Sequence, residues 1–455
     1  MLEVEVAARP LSALSGILSA EQEARFQAAA DRALAGLSGR TVWNVSSTAT
    51  GGGVAEMLHS LLGYVLGAGV RTRWLVLDGD SPFFAATKRL HNAIHGLGGV
   101  PALDDADRAA YDRVMARSGP ELLGHLGAGD LVLLHDPQTA GLVEPVRRAG
   151  IPVVWRSHIG SDVRTPTADS AWDFLRGRVG SADGLVFSRR QYAPDWVPAD
   201  RVWVIPPSVD PLSAKNRPVP AEDRLRLLTD AGLLSGTASP AEPIVHGGPP
   251  PPPEAPLVVQ VSRWDRLKDM PGVMQGFARM ASRRPEAHLM LAGPAVAGVT
   301  DDPEQSQVFA DCLQVWQDLP HGVRERVHLA TLPTDDIEWN ATIVNALQRH
   351  AAVVVQKSLV EGFGLTVTEA MWKGRPVVAG AVGGILDQIE DGRSGLLVDP
   401  HDLDAFAAAL DRILGDRQLA RRLGEAAYAR VLDHFLGDRQ LRQYAELFES
   451  VSSRG

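Results

Sequence analysis

The chain of 455 residues predicts an α/β protein of two domains, each built on a largely parallel sheet. Three observations carry that prediction. Short, continuously apolar runs such as AVVV at residues 352–355 recur along the chain, the pattern of strands buried on both faces of a sheet. Each run ends in polar residues and leads into a stretch with helical spacing. The rhythm stops at PPSVDPLSAKN, residues 206–216, which has neither period, and resumes at residue 257.

Taken in order, residues 19–37 predict a first helix, with Ser19 as N-cap and Gln22 as its reciprocal partner. Residues 41–45 read as a strand that runs into Ser47, Thr48 and a triple glycine, Gly51-Gly52-Gly53, ahead of a helix over 54–66. Glycines between strand and helix can cradle an anion, although a tight turn needs the same residues. A strand at 73–77 leads to Gly79-Asp80 and the polar, aromatic stretch FFAATKRLHNAIHG. Strands at 131–134 and 152–155 end in His135-Asp136-Pro137-Gln138 and Arg156-Ser157-His158. Polar residues thus gather at strand carboxyl ends, where open α/β sheets bind ligands, and this is one Rossmann-like domain.

Residues 206–216 read as a hinge. Residues 236–256, with five prolines from Pro249 to Pro253, read as an exposed, semi-rigid loop, because proline enters neither a helix nor a central strand. The second domain then has strands at 257–261, 289–293, 327–330, 352–355, 377–379 and 395–398, and helices from about 402 onward. The predicted domains are 1–211, 212–435 and an amphipathic terminal helix, 436–455, that crosses back to the first.

With 45% apolar and 22% charged residues the composition is that of a soluble globular protein. A net charge of −10 without a basic cluster argues against nucleic acid as partner. The single cysteine, Cys312, excludes a disulfide framework and is expected in the core. The start MLEVEVAARP carries acids where a signal peptide carries bases, and no apolar run is long enough to span a bilayer. A cytoplasmic location is expected.

The chemistry concentrates in VEGFGLTVTEAMWKGRP. Gly362, Phe363 and Gly364 stand between a strand and a helix beginning near Leu365, where free N–H groups and the helix dipole favour phosphate. Glu361 and Glu369 frame them, and carboxylates there serve better as acceptors for hydroxyls, which suggests a ligand carrying sugar as well as phosphate. The tip of the strand at 257–261 carries Arg263 and Lys268; on position alone they fit a solvated loop pair or a diphosphate clamp. His158, by its place at a strand end, fits a ligand contact or a buried structural histidine. Asp136 and Asp80 could accept hydroxyls, with His135 and Gln138 as weaker candidates. Lys88, His91 and Asn92 form a polar face that a core helix does not carry. Nothing has the spacing of a metal site: Asp301-Asp302 has no companion ligands, and the histidines are scattered.

The pattern E-G-F-G-L-x-x-x-E resembles the signature of retaining nucleotide-sugar glycosyltransferases of the GT-B type in family four. That resemblance implies two Rossmann-like domains with the active site in the cleft between them. It implies that Glu361 contacts the transferred sugar, that Glu369 contacts the ribose, and that the amides after Glu361, through Leu365, hold the diphosphate. It assigns Arg263 and Lys268 to the leaving nucleoside diphosphate and His158 to the donor sugar near its 6-hydroxyl, with its backbone at the reaction centre. Gly52 and Gly53 join the donor-binding set; Asp136, Asp80, Lys88 and Asn92 form the acceptor-binding set.

VWNVSSTATGGGVAEML, FFAATKRLHNAIHG, HDPQTAGL, WRSHI, PPSVDPLSAKN and VSRWDRLKD are together similar to the trehalose synthase (glycosyl-transferring) and trehalose phosphorylase branch. The expected reaction is retaining transfer from a nucleoside-diphosphate glucose to free glucose, by front-face attack, with no cofactor and no essential metal. Two departures bear on the acceptor: Gly160-Ser161-Asp162 after His158, and the proline-rich insertion. The alternatives are a trehalose phosphorylase, a glucosyltransferase with a cyclitol or amino-sugar acceptor, and a non-catalytic nucleotide-sugar-binding protein. Partners are expected to be the nucleotide sugar and glucose, with neither nucleic acid nor membrane; a homodimer stays open.

Overall fold

The computed structural model describes residues 1–49, 52–97, 99–236, 244–246, 248–295 and 304–452. It divides into two compact units, Met1–Ser208 with Phe435–Gly455, and Val209–His434.

The first unit holds a seven-stranded sheet of β1 (Leu2–Val4), β2 (Val42–Ser46), β3 (Thr72–Val76), β4 (Leu131–His135), β5 (Val153–Arg156), β6 (Gly184–Phe187) and β7 (Val202–Val204). Their order is β1-β3-β2-β4-β5-β6-β7, parallel except for β1. Side chains alternate across the sheet as the pleat requires. Trp43, Val45, Val132, Leu134, Val153 and Trp155 enter one apolar cluster, while Val42, Leu131, Leu133, Val154 and Val186 enter another. Both faces are therefore buried, which is why the strands read as unbroken apolar runs.

The second face is closed by the terminal helix Gly437–Ser452. Its Tyr444, Leu447, Phe448 and Val451, at helical spacing, join that cluster. Ser208 Oγ donates to Gln440 Oε1 at 2.6 Å, and Arg439 donates to the Pro206 and Pro207 carbonyls at 2.8 and 2.9 Å. The capping box predicted for the first helix is present: Ala20–Gly36 begins at Ser19, whose side chain and that of Gln22 exchange bonds with the backbone.

The second unit holds β8 (Val245–His246), β9 (Leu257–Val261), β10 (His288–Pro294), β11 (Val327–Leu332), β12 (Val353–Gln356), β13 (Val377–Gly380) and β14 (Leu396–Val398). Their order is β14-β13-β12-β9-β10-β11-β8, with only β8 antiparallel. Cys312 is buried in its core.

The proline-rich segment departs from the expectation of a wholly exposed loop. Val245 and His246 pair with β11 as an edge strand, and the buried Pro251 accepts a backbone bond from Ser235 at 2.9 Å. Proline lacks a donor but keeps its carbonyl, so a proline run can still tie down its neighbours. Residues 237–243 and 247 of that segment lie outside the described residues, as do Thr50, Gly51 and the pair Asp301-Asp302. No described helix is long and apolar enough to cross a membrane.

Candidate active site

Strand order reverses between β9 and β12 in the second unit, which opens a crevice at their carboxyl ends. The segments that leave the sheet there are Ser262–Asp269 and Lys357–Gly364, and hydrogen bonds zip them together. Lys268 Nζ donates to Glu361 Oε2 at 2.6 Å, and Ser358 Oγ reaches the same oxygen at 3.0 Å. In the reverse sense, buried Lys357 from the β12 side pairs with Asp269 from the β9 side. Leu359 N donates to Leu267 O at 2.8 Å. Gln260, buried within β9, accepts from Lys357 N at 3.1 Å and donates to Lys268 O at 2.8 Å.

The helix Leu365–Trp372 opens with Gly364 at φ +85, and no side chain caps it. Its first N–H groups have no intrahelical acceptor. A Cβ on Gly364 would stand 3.1 Å from Glu361 Cγ, so glycine serves both the backbone angle and the approach. Behind the loop, buried Gln388 accepts from Thr368 Oγ1 at 2.6 Å and donates to the Phe363 carbonyl and, at 3.3 Å, to Gly384 O. Glu369 is buried on the second turn of the helix, 3.8 Å from Lys215 Nζ. Arg263, half-exposed, reaches Asp265 at 3.3 Å. The geometry thus gathers Lys268, Glu361, Gly362, Phe363, Gly364 and Leu365, with Arg263 on the same β9 tip.

In the first unit the order reverses between β2 and β4. The β4 tip turns at Asp136, a non-glycine residue at φ 66 whose Oδ1 accepts from His158 N at 2.7 Å. A left-handed aspartate is a strained conformation of the kind that clusters at working sites. His158 Nε2 lies 3.0 Å from His135 Nδ1, and Arg156 Nε donates to His158 Nδ1 at 3.2 Å. Both ring nitrogens of His158 are therefore engaged within this unit, so the expected ring contact to a sugar 6-hydroxyl has no free nitrogen in this arrangement. Lys88, His91 and Asn92 lie half-buried on the helix Ser81–Ile94. Asp80 has a structural use: it caps that helix through Phe83 N at 3.0 Å and pairs with Arg113 at 2.7 Å, and those two partners hold its carboxyl below the usual range. Gly52 begins the helix Gly52–Gly67, with Gly53 its second residue.

Burial pushes the Asp136 carboxyl up to about 7, against the His158 amide and Arg156. Burial, then Arg156, pushes His135 down to about 3, and His158 is lowered by burial, Arg156 and His135. The signs oppose. Below about pH 6.5 the unfolded chain protonates its histidines while folded His135, until about pH 3, does not, and folded His158 is lowered in the same direction, so acid removes stability. Between about pH 7 and 3.8 folded Asp136 holds a proton that the unfolded chain has lost, so acid adds stability. Asp136→Asn removes only the second effect, and Asn tolerates the left-handed backbone. Acidification from pH 7 to 5 should then cost the variant about 2 kcal/mol more than the parent, read by thermal unfolding at both pH values. Equal losses would mean that Asp136 does not hold that proton.

Sequence reasoning missed Gln260, Lys357, Asp269 and Gln388. The signal was present for one of them, since a glutamine inside the apolar run LVVQV has to be satisfied by something. Among the described residues no group of three or more His, Cys, Asp or Glu is arranged to hold a metal ion.

The family described as trehalose synthase, N-terminal domain, matches residues 44–194, and glycosyl transferases group 1 matches residues 246–430. The trehalose synthase of Pyrococcus horikoshii is 32% identical over 443 residues, covering 97% of this chain and 97% of that protein. The trehalose phosphorylase of Pleurotus pulmonarius is 28% identical over 409 residues, 84% of this chain but 53% of that protein. The crystal structure of an α,α-trehalose-phosphate synthase (UDP-forming) from Burkholderia vietnamiensis superposes with a TM-score of 0.71 at 16% identity, covering 91% of this chain and 100% of that one.

Proposed function

The chain belongs to the trehalose synthase family of group 1 glycosyltransferases and has the GT-B fold, and from there we propose that it transfers glucose, with retention, from a nucleoside-diphosphate glucose to free glucose. The observation that carries this reading is the Lys268–Glu361 pair at 2.6 Å, set beside the uncapped helix start at Gly364. One group is cationic, one accepts from hydroxyls, and the amides donate to phosphate. A nucleotide sugar needs all three.

In the proposed step the bond from the sugar C1 to the diphosphate oxygen breaks. The acceptor's anomeric oxygen bonds to C1 on the same face, and its proton passes to the departing phosphate oxygen. Charge grows on the diphosphate as the bond breaks, and Lys268, Arg263 and the helix-start amides, already in place, stabilise it there. Glu361 takes hydroxyls of the transferred sugar and Glu369 those of the ribose. His158 serves the reaction centre through its main chain, because its ring nitrogens are engaged, and Asp136 with Lys88 and Asn92 takes the acceptor. Neutralising cations come from side chains, so activity without added metal is expected.

The likeness to trehalose phosphorylase supports a second reading, in which phosphate accepts glucose from trehalose. Two assays separate them. Calorimetry with UDP-, ADP- and GDP-glucose should show saturable donor binding that Glu361→Ala weakens at least about tenfold, the worth of one charged hydrogen bond. Glucose 1-phosphate released from trehalose and phosphate, without donor binding, would replace the synthase reading by the phosphorylase one.

A further inference from the structure

A continuous hydrogen-bonded chain crosses the N-terminal unit behind His158, and its direction is set from both ends. At one end Thr72 Oγ1 donates to the Val42 carbonyl at 2.9 Å, so it accepts from Asn44 Nδ2 at 3.1 Å. That turns Asn44 Oδ1, an acceptor only, toward His135 Nε2 at 3.3 Å. His135 must then carry its proton on Nε2 and offer a bare Nδ1 to His158 Nε2, 3.0 Å away. At the other end Arg156 Nε, a donor only, points at His158 Nδ1 from 3.2 Å, so that nitrogen is bare and the proton of His158 also sits on Nε2. Both ends of the chain thus place the same proton, that of His158 Nε2, between the two rings.

The donor end is anchored. Arg156 is fully buried at the end of β5 and donates to Ile205 O at 3.1 Å and to the hydroxyl of Tyr444 on the terminal helix. A second proton on either imidazole would set N–H against N–H, at His158 Nδ1 facing Arg156 or at His135 Nδ1 facing His158. The lowered basicity of both rings agrees.

We propose that Asn44 and His135 are positioning residues for His158, holding its ring neutral with the proton on Nε2 and thereby fixing its main chain at the β5 tip. The Asp136 bond to His158 N, at 2.7 Å, fixes the same residue from the other side. For its effect on turnover, this inference rests on the reading of His158 given above; the proton positions do not depend on it.

The test joins nitrogen NMR of histidine-labelled protein with two variants. In the parent at about pH 7 both rings should show a protonated Nε2 and a bare Nδ1, with His135→Asn used for assignment. His135→Phe keeps the ring stacking but offers no acceptor, and should lower kcat about 100-fold with KM changed less than threefold, as a small misplacement at a reacting centre does. His135→Asn, whose Oδ1 can stand in for the Nδ1 acceptor, should recover at least tenfold of that loss. A merely structural role predicts neither the recovery nor the split between kcat and KM. An Nδ1–H or doubly protonated ring in the parent overturns the proposal, and so does a folded His135→Phe with parental kcat. If both rings show Nε2–H and no glucose is transferred, the chain stands and the proposed reaction falls.

Discussion

Lys268→Ala should lower turnover about 1000-fold, some 4 kcal/mol of transition-state stabilisation, while the protein stays folded. The ammonium lies 2.6 Å from Glu361 Oε2, at the strand end where, in the proposed reaction, the leaving diphosphate gathers charge. The bond between Lys268 and Gln260 runs from Gln260 Nε2 to the main-chain carbonyl of Lys268, which alanine keeps, and Ser358 Oγ stays 3.0 Å from Glu361. Loss of the pair leaves one partly buried carboxylate with fewer partners, at a cost of about 1–3 kcal/mol. Turnover within about tenfold of the parent, in a variant with parental circular dichroism, would remove Lys268 from the chemistry.

Gly384→Ala should lower turnover about 100-fold without touching any polar side chain. A Cβ there would stand 2.6 Å from Phe363 Cα and 2.7 Å from Gly362 O. Those are backbone atoms of the proposed phosphate loop, so they cannot swing aside as a side chain could. The loop must shift, and amides aimed at a diphosphate lose their aim. Gly322→Ala is the control, since a Cβ there meets nothing within 4 Å. Equal activity in both variants would mean that the loop does not hold the ligand.

Much of the fold was legible because its strands are buried on both faces, which leaves runs such as LVVQV and AVVV with little ambiguity. The edge strands β1 and β8 were not. At three and two residues they are too short to show a period, and they exist because β3 and β11 offer them a partner. In the candidate site, EGFGL and RWDRLK were legible because residues close in sequence stand together there. Lys357 with Asp269, and Arg156 with Tyr444, were not, because each pair is far apart in sequence and meets only after folding. Asp80 was open to a better reading: an aspartate followed by Ser-Pro and an apolar helix is an N-cap pattern, and the structure uses it as one.

The product of the reaction separates these readings most directly. Incubation with free glucose and, in parallel, UDP-, ADP- and GDP-glucose, followed by proton NMR, should give a single symmetric anomeric signal, that of α,α-trehalose, with the strongest signal ranking the nucleotides. That one spectrum reports donor, acceptor and retention together. Nucleoside diphosphate released into a different glucoside would contradict the acceptor. No turnover with any of the three donors would contradict the reaction itself.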